Sequence, residues 1–295
     1  MPFASLLTFT SMALVLALTA QGASAADGDT VVNATSTLPN WSTKAVYQPS
    51  PVRATAAPTR AQADYTGPLV VSAPPSADSA RQRDLYLPLA EYLSKVLGRS
   101  VVFKGADNWL AYSKAMTAGE FDLVLDDSHF TAWRVERIQH TPLVRISEDV
   151  SFVIVTDASD DKVRKLRDLE GRRVCGMAGP RLGMLVTFAQ FTNPARQPYL
   201  VENPDWDSVV QAFAAGKCAG AILPAATAEK HKNGMRVLYQ SPSYPGLALS
   251  AGPRIGDELK TKIVHALTED PAGKTATRKL RENYGIRDFV ASQGQ

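Results

Sequence analysis

The feature that most constrains this chain is an alternation of short apolar, β-rich runs with stretches of helical periodicity, played through twice. Leu69-Val70-Val71-Ser72-Ala73 is a compact apolar run that stops at Pro74-Pro75, as a buried strand opening into a loop does. Over residues 78–97, Leu85, Leu89, Tyr92, Leu93, Val96 and Leu97 fall on one helical face, and Gly98 stands where a helix closes with a left-handed residue. A strand at 100–103, a helix capped by Asn108 and leading to Gly119, and a strand at 121–125 complete the first round. The second round runs through a strand at 151–156, a charged helix at 160–169 and a strand at 173–177. A loop at 178–182 then opens a helix to about residue 191, followed by a strand at 199–201, a helix at 207–215 and a strand at 219–223. Segments 257–266 and 274–284 read as two closing helices. Short connections in this order predict parallel sheets covered by helices. Two rounds of similar size predict two α/β lobes on one chain.

What precedes the first strand has a different character. Residues 6–20 are apolar and uncharged, and Ala23-Ser24-Ala25 supplies a small-x-small cleavage pattern, so residues 1–25 read as a secretory signal peptide. The apolar run is shorter than the ~20 residues that a bilayer requires, so no direct membrane anchor is expected. Residues 26–66 are rich in Ala, Thr, Ser and Pro and follow neither period, which predicts a mobile leader pinned at most by Trp41 and Tyr47. Lys plus Arg number 32 against 29 Asp plus Glu, a net charge of +3 that is too mild for a nucleic-acid partner. The basic clusters at 162–165 and 278–281 read as solvated helix faces. No Gly-x-Ser-x-Gly elbow, His-Glu-x-x-His helix or Gly-rich nucleotide loop occurs, and His140, His231 and His265 have no partner at a chemical spacing. The expectation is therefore a chain without catalytic residues, metal or cofactor, not an enzyme.

Several motifs, taken in order, carry a resemblance. Leu87-Pro88-Leu89-Ala90-Glu91-Tyr92-Leu93 closing on Leu97-Gly98, then Ala115-Met116, Gly119 and Phe121-Asp122-Leu123-Val124, resemble the opening of the phosphonate/phosphate/phosphite-binding proteins of bacterial ABC importers. Leu166-Arg167-Asp168-Leu169-Glu170-Gly171-Arg172-Arg173-Val174 resembles that family's entry into its second lobe, and Leu259-Lys260, Ala266-Leu267 and the 285–289 segment resemble its closing helices. The resemblance implies a type II periplasmic binding protein fold: α/β, two-lobed, each lobe a sheet flanked by helices, the lobes joined by two crossing strands. It implies lobe 1 at 67–152 plus 243–295 and lobe 2 at 153–242, with crossings near 152–156 and 237–239. It further implies a monomeric periplasmic solute-binding protein that takes a small-molecule ligand, polar and anionic or zwitterionic, and hands it to a membrane permease. The same fold would serve a sensory or accessory domain working for a membrane partner or an exported enzyme. The family carries a Ser-Thr-Ser-Gly-like run after the first strand of lobe 2, where this chain has Gly179-Pro180-Arg181-Leu182-Gly183, and an acidic position of some relatives falls at Ala219.

Ligands of open α/β sheets collect where strands end and helices begin, which selects four loops. Ser76 is either a ligand hydroxyl or a helix cap, and Trp109 is either a flat ligand wall or a core residue. Asp126-Asp127-Ser128-His129 places two carboxylates beside an imidazole, suited to a cation, an amine or a pH-sensitive polar ligand, or else to a capped helix start. Gly179 and Leu182 flank Arg181, which is either a bidentate holder of a carboxylate or phosphate or a surface residue. The two cysteines, Cys175 in the first strand of lobe 2 and Cys218 just ahead of the strand expected beside it, are candidates for a disulfide in an oxidising compartment.

Overall fold

The structure, a computed structural model, describes residues 65–76 and 78–292; the segment read as a signal peptide, and residues 26–64 of the expected leader, lie outside the described residues. Two mixed sheets form its frame. The first has the order β13-β4-β12-β3-β1-β2, with β1 at Leu69–Ser72, β2 at Val101–Phe103, β3 at Leu123–Asp126, β4 at Thr141–Ile146, β12 at Ala248–Ala251 and β13 at Phe289–Ala291. The second has the order β10-β6-β9-β7-β8, with β6 at Phe152–Asp157, β7 at Arg173–Met177, β8 at Tyr199–Asn203, β9 at Gly220–Pro224 and β10 at Met235–Gln240.

In each sheet the three strands of the alternating rounds are parallel: β1 with β2 and β3, β7 with β8 and β9. The added strands are antiparallel, β12 between β3 and β4 and β6 between β9 and β10. The expected all-parallel sheets are thus parallel only along one side, β3-β1-β2 in the first and β9-β7-β8 in the second. The reason is connectivity, because a strand reached by a short link from the other lobe has no helical crossover to reverse its direction.

Two links join the sheets, and they pair with each other: β5 at Asp149–Val150 runs antiparallel to β11 at Tyr244–Pro245. The crossings therefore lie a few residues outside the positions expected at 152–156 and 237–239. Phe152 through Thr156 is buried throughout, flanked by strands on both sides, and is already an interior strand of the second sheet.

The helices follow from local chemistry. α1 (Ser79–Leu97) starts at Asp78, whose carboxylate accepts the Arg81 N–H at 2.8 Å, and ends at Gly98 with φ 60°. α2 (Trp109–Thr117) is capped by the Asn108 side chain, which accepts the Ala111 N–H at 2.9 Å. Then follow α3 (Ser128–Ile138), α4 (Leu182–Phe188), α5 (Trp206–Ala214), α6 (Ala225–Lys230), α7 (Asp257–Thr268), α8 (Pro271–Ala276) and α9 (Arg278–Tyr284). Alternation along the strands divides the core. Leu123 and Leu125 of β3 face a cluster with Leu89, Leu93, Ile263 and Leu280, whereas Val124 faces Tyr112, Met116 and Phe130. Val153 and Val155 of β6 likewise separate from Ile154. Each fully buried aliphatic side chain contributes about 1.5–3 kcal/mol.

Three helical expectations are corrected. At 160–169 only Leu166–Leu169 is helical, as a single 3-10 turn. Asp168 accepts the N–H groups of Arg164 and Lys165 at 3.0 and 3.1 Å, and Asp160 accepts that of Lys162 at 2.8 Å, so side chains compete with the helix ladder. Arg236 of β10 takes the carbonyls of Asp160 and Val163 at 3.2 and 3.1 Å, which a helix would have used itself. The helix opening at 182 stops at Phe188, short of residue 191. The expected helix at 274–284 is divided at buried Thr277, whose hydroxyl returns to the Gly273 carbonyl at 2.8 Å.

Candidate functional site

Because β1, β2, β3 and β7 are parallel within their sheets, each delivers its C-terminal end to a loop that starts a helix or turn, and those loops meet between the lobes. From the second lobe, Arg181 precedes α4 and reaches the first. Its Nη2 donates to the Pro75 carbonyl at 3.4 Å, and its guanidinium carbon lies 5.7 Å from the centre of the Trp109 ring. From the first lobe, His129 at the start of α3 brings Nε2 to 2.9 Å from the Pro180 carbonyl. At the edge, Arg81 approaches the α5 cap Asp205 at 3.8 Å, a partly exposed pair that adds little.

Trp109 stands as an aromatic shelf, half-buried. It stacks on Phe130 at 5.7 Å with the planes 20° apart and meets Tyr112 edge-on at 5.8 Å. A guanidinium over such a ring gains about 0.5–2 kcal/mol, the more so where water is excluded. Among the described residues no carboxylate pairs with Arg181, so its charge is answered only by a carbonyl and a π-face. Asp127 caps α3 through its backbone alone, with no hydrogen bond from its side chain to the helix, and Ser128 beside it is half-buried. The Nδ1 atom of His129 is buried without a hydrogen-bond partner, and its ring lies 4.1 Å from that of Phe130. An unpaired buried polar atom costs about 1–3 kcal/mol.

The other candidates take plainer places. Ser76 is exposed, and its hydroxyl accepts the Asp78 N–H at 3.3 Å ahead of α1, whose cap is Asp78 and not Ser76. Leu182 is buried at the start of α4. Gly179 precedes a cis peptide bond to Pro180. Its neighbour Gly183 has a firmer reason to be glycine, because a Cβ there would lie 2.6 Å from two ring carbons of Phe152. The start of α4 is therefore packed directly on the first residue of β6, where the crossing link enters the second sheet.

Asp126 does not join Asp127 and His129. It is wholly buried and forms an ion pair with equally buried Arg134. The Tyr112 hydroxyl donates to its Oδ2 at 2.8 Å, Thr131 donates to Oδ1 at 3.3 Å, and Arg134 Nη2 donates to the Tyr112 oxygen at 2.7 Å. Burial opposes the Arg134 charge, but Asp126 and Tyr112 outweigh it and hold the guanidinium protonated. Burial, reinforced by Asp126, keeps the Tyr112 phenol far above its ordinary range. Sequence reasoning missed this cluster. Its signal was the helical spacing of Phe130, Thr131 and Arg134, which sets an arginine on an inward face and so demands a buried acid.

Among the described residues no three His, Cys, Asp or Glu side chains gather as a metal site, and no helix is long and apolar enough to cross a membrane. Cys175 and Cys218 are joined in a disulfide, with Cα atoms 5.6 Å apart across a sequence separation of 43.

Comparisons with known proteins agree with this architecture. Residues 71–295 match the family model described as ABC transporter, phosphonate, periplasmic substrate-binding protein. No curated protein matches the chain by sequence. Among solved structures, PhnD1 of Prochlorococcus marinus in complex with methylphosphonate superposes with a TM-score of 0.60 at 13% identity, covering 78% of this chain and 94% of that one. A binding protein component of an ABC phosphonate transporter from Pseudomonas aeruginosa gives 0.56 at 14% identity, covering 77% and 82%. A Xanthomonas citri protein bound to ATP gives 0.59 at 13% identity, covering 76% and 91%. At such identities these structures speak for the fold, a two-lobed type II periplasmic binding protein, while the family model spans most of the sequence. The chain belongs to the family of periplasmic substrate-binding proteins of phosphonate ABC transporters.

Proposed function

We propose that the protein captures a small polar ligand, anionic or zwitterionic, in the crevice between its lobes, and that a permease of an ABC importer receives it. The observation that carries this reading is Arg181, a second-lobe guanidinium aimed by the first lobe, resting on Trp109 and the Pro75 carbonyl with no acid paired to it among the described residues. Donors on Arg181 that these contacts leave free suit a carboxylate or phosphonate oxygen pair. The residues Gly179, Pro180, Arg181, Leu182 and Gly183 stand where relatives carry hydroxyls. Here the anion is held by a charged fork instead of by hydroxyl groups. Asp127, whose side chain makes no bond to its helix, and the unpaired Nδ1 of His129 belong to one turn and suit a cationic or donor group at the other end of the ligand.

Mechanism follows from the paired links β5 and β11. They let the lobes, 67–152 with 243–295 and 153–242, rotate as bodies, and a ligand touching both sides favours the closed arrangement by the contacts that only that arrangement makes. The permease reads the closed shape, and no bond is made or broken. Calorimetric titration with methylphosphonate, inorganic phosphate and amino acids tests the reading. A ligand that binds the unaltered protein should bind Arg181→Ala about tenfold to a hundredfold more weakly, the loss of one charge-assisted hydrogen-bond pair. Equal affinity would remove Arg181 from the site.

A further inference from the structure

Two walls of the crevice in the first lobe, α2 with Trp109 and α3 with Asp127 to His129, share a buried polar cluster behind them. Asp126 is the last residue of β3 and precedes Asp127 directly; Arg134 and Thr131 share α3 with His129; Tyr112 lies one turn beyond Trp109 on α2. Tyr112 is the only member from α2, and its hydroxyl bonds both to Asp126, at 2.8 Å, and to Arg134, at 2.7 Å. Its ring adds an apolar tie, edge-on to Trp109 at 5.8 Å and to Phe130 of α3 at 6.0 Å.

A buried ion pair is a poor means of stabilising a fold, since apolar residues of the same volume do as well or better. What such a cluster supplies is directional geometry: each hydrogen bond fixes an angle as well as a distance, and leaving one group unpaired in a dry interior is costly. The bonds here run between the two elements that carry the aromatic shelf and the acidic turn, and all of their members lie at 6% exposure or less.

We propose that Tyr112, Asp126 and Arg134 are positioning residues that lock the α2 and α3 walls to each other, so that Trp109 and the Asp127–His129 turn are presented to a ligand as one body. The proposal rests on the reading of those turns as crevice walls, but its test needs no ligand. Amide hydrogen exchange would be followed in the ligand-free protein and in two isosteric variants. Tyr112→Phe removes only the hydroxyl that joins the helices. Thr131→Val removes only a contact local to α3 and the end of β3.

In Tyr112→Phe the amides of 112–116 and of 130–134 should both exchange roughly tenfold faster, the loss of about one buried hydrogen bond from each helix. Thr131→Val should accelerate 130–134 alone, and residues 178–182 should keep their rate in both variants. A change confined to α2, an even rise across the whole first lobe, or no change in Tyr112→Phe overturns the proposal. Failure of the binding reading would appear separately, as undiminished ligand affinity in Arg181→Ala while Tyr112→Phe still speeds exchange in both helices.

Discussion

His140 offers the most quantitative test of how this interior is built. It follows the end of α3, is 4% exposed, and its Nδ1 lies 3.1 Å from the Ser250 hydroxyl on β12. Burial first, then the charges of Arg134, Arg254 and Lys260, push its pKa down from 6.5 to about 3. The imidazole is therefore neutral in the folded protein throughout the mildly acidic range, whereas in the unfolded chain it takes a proton near its ordinary pKa. Between pH 6.5 and 3 the unfolded state binds the extra proton, so stability falls as pH falls. The contribution is fully present above pH 6.5 and declines by about 1.4 kcal/mol for each unit below it. At pH 4.5, two units down, the cost is about 3 kcal/mol, a large part of the 5–15 kcal/mol that holds a typical domain together. His140→Gln keeps a side-chain amide near Ser250 and removes the titrating group. Urea unfolding of both proteins at pH 7.5 and 4.5 measures the difference, since carboxylates elsewhere contribute alike to each. The variant should start less stable at pH 7.5 through imperfect packing, and lose about 3 kcal/mol less on acidification. Equal losses in the two proteins would mean that His140 is protonated in the folded state, and the reasoning would fail.

Further outcomes follow from other contacts. Replacing Cys175 and Cys218 together by alanine releases a loop set by a separation of 43 residues, worth about 4 kcal/mol on the chain-entropy account, and should lower the denaturant midpoint accordingly. An unchanged midpoint would refute the assignment of a stabilising cross-link. Gly183→Ala must displace either α4 or the Phe152 ring, a cost of about 1–3 kcal/mol that thermal melting would read. A melting temperature equal to that of the unaltered protein would show that this packing is slack.

Much of the frame was legible along the chain because it is written in local periods. The strands β1, β7 and β9, the cap Asn108 and the closing Gly98 each depend on residues within a few positions of themselves. The cysteine pairing was within reach too, once the strands that carry it were known to be neighbours. The candidate site divides along the same line. That Trp109, His129 and Arg181 sit at strand ends followed from the alternation, but that Arg181 would lie on Trp109, with His129 against Pro180, depends on how the two lobes meet.

The sequence by itself determined the two α/β rounds, both ends of α1 and the starts of α2 and α5. Tertiary structure alone decided that Asp126 turns inward to Arg134 while the side chain of its neighbour Asp127 makes no bond to the helix that it caps. It likewise decided that 160–165 is held open by Arg236, more than seventy residues away. Periodicity and capping are energies between near neighbours and can be read in order along a chain. A buried charge or an orphaned carbonyl is satisfied by whichever partner the fold brings within 3 Å, and no pattern confined to one segment names that partner.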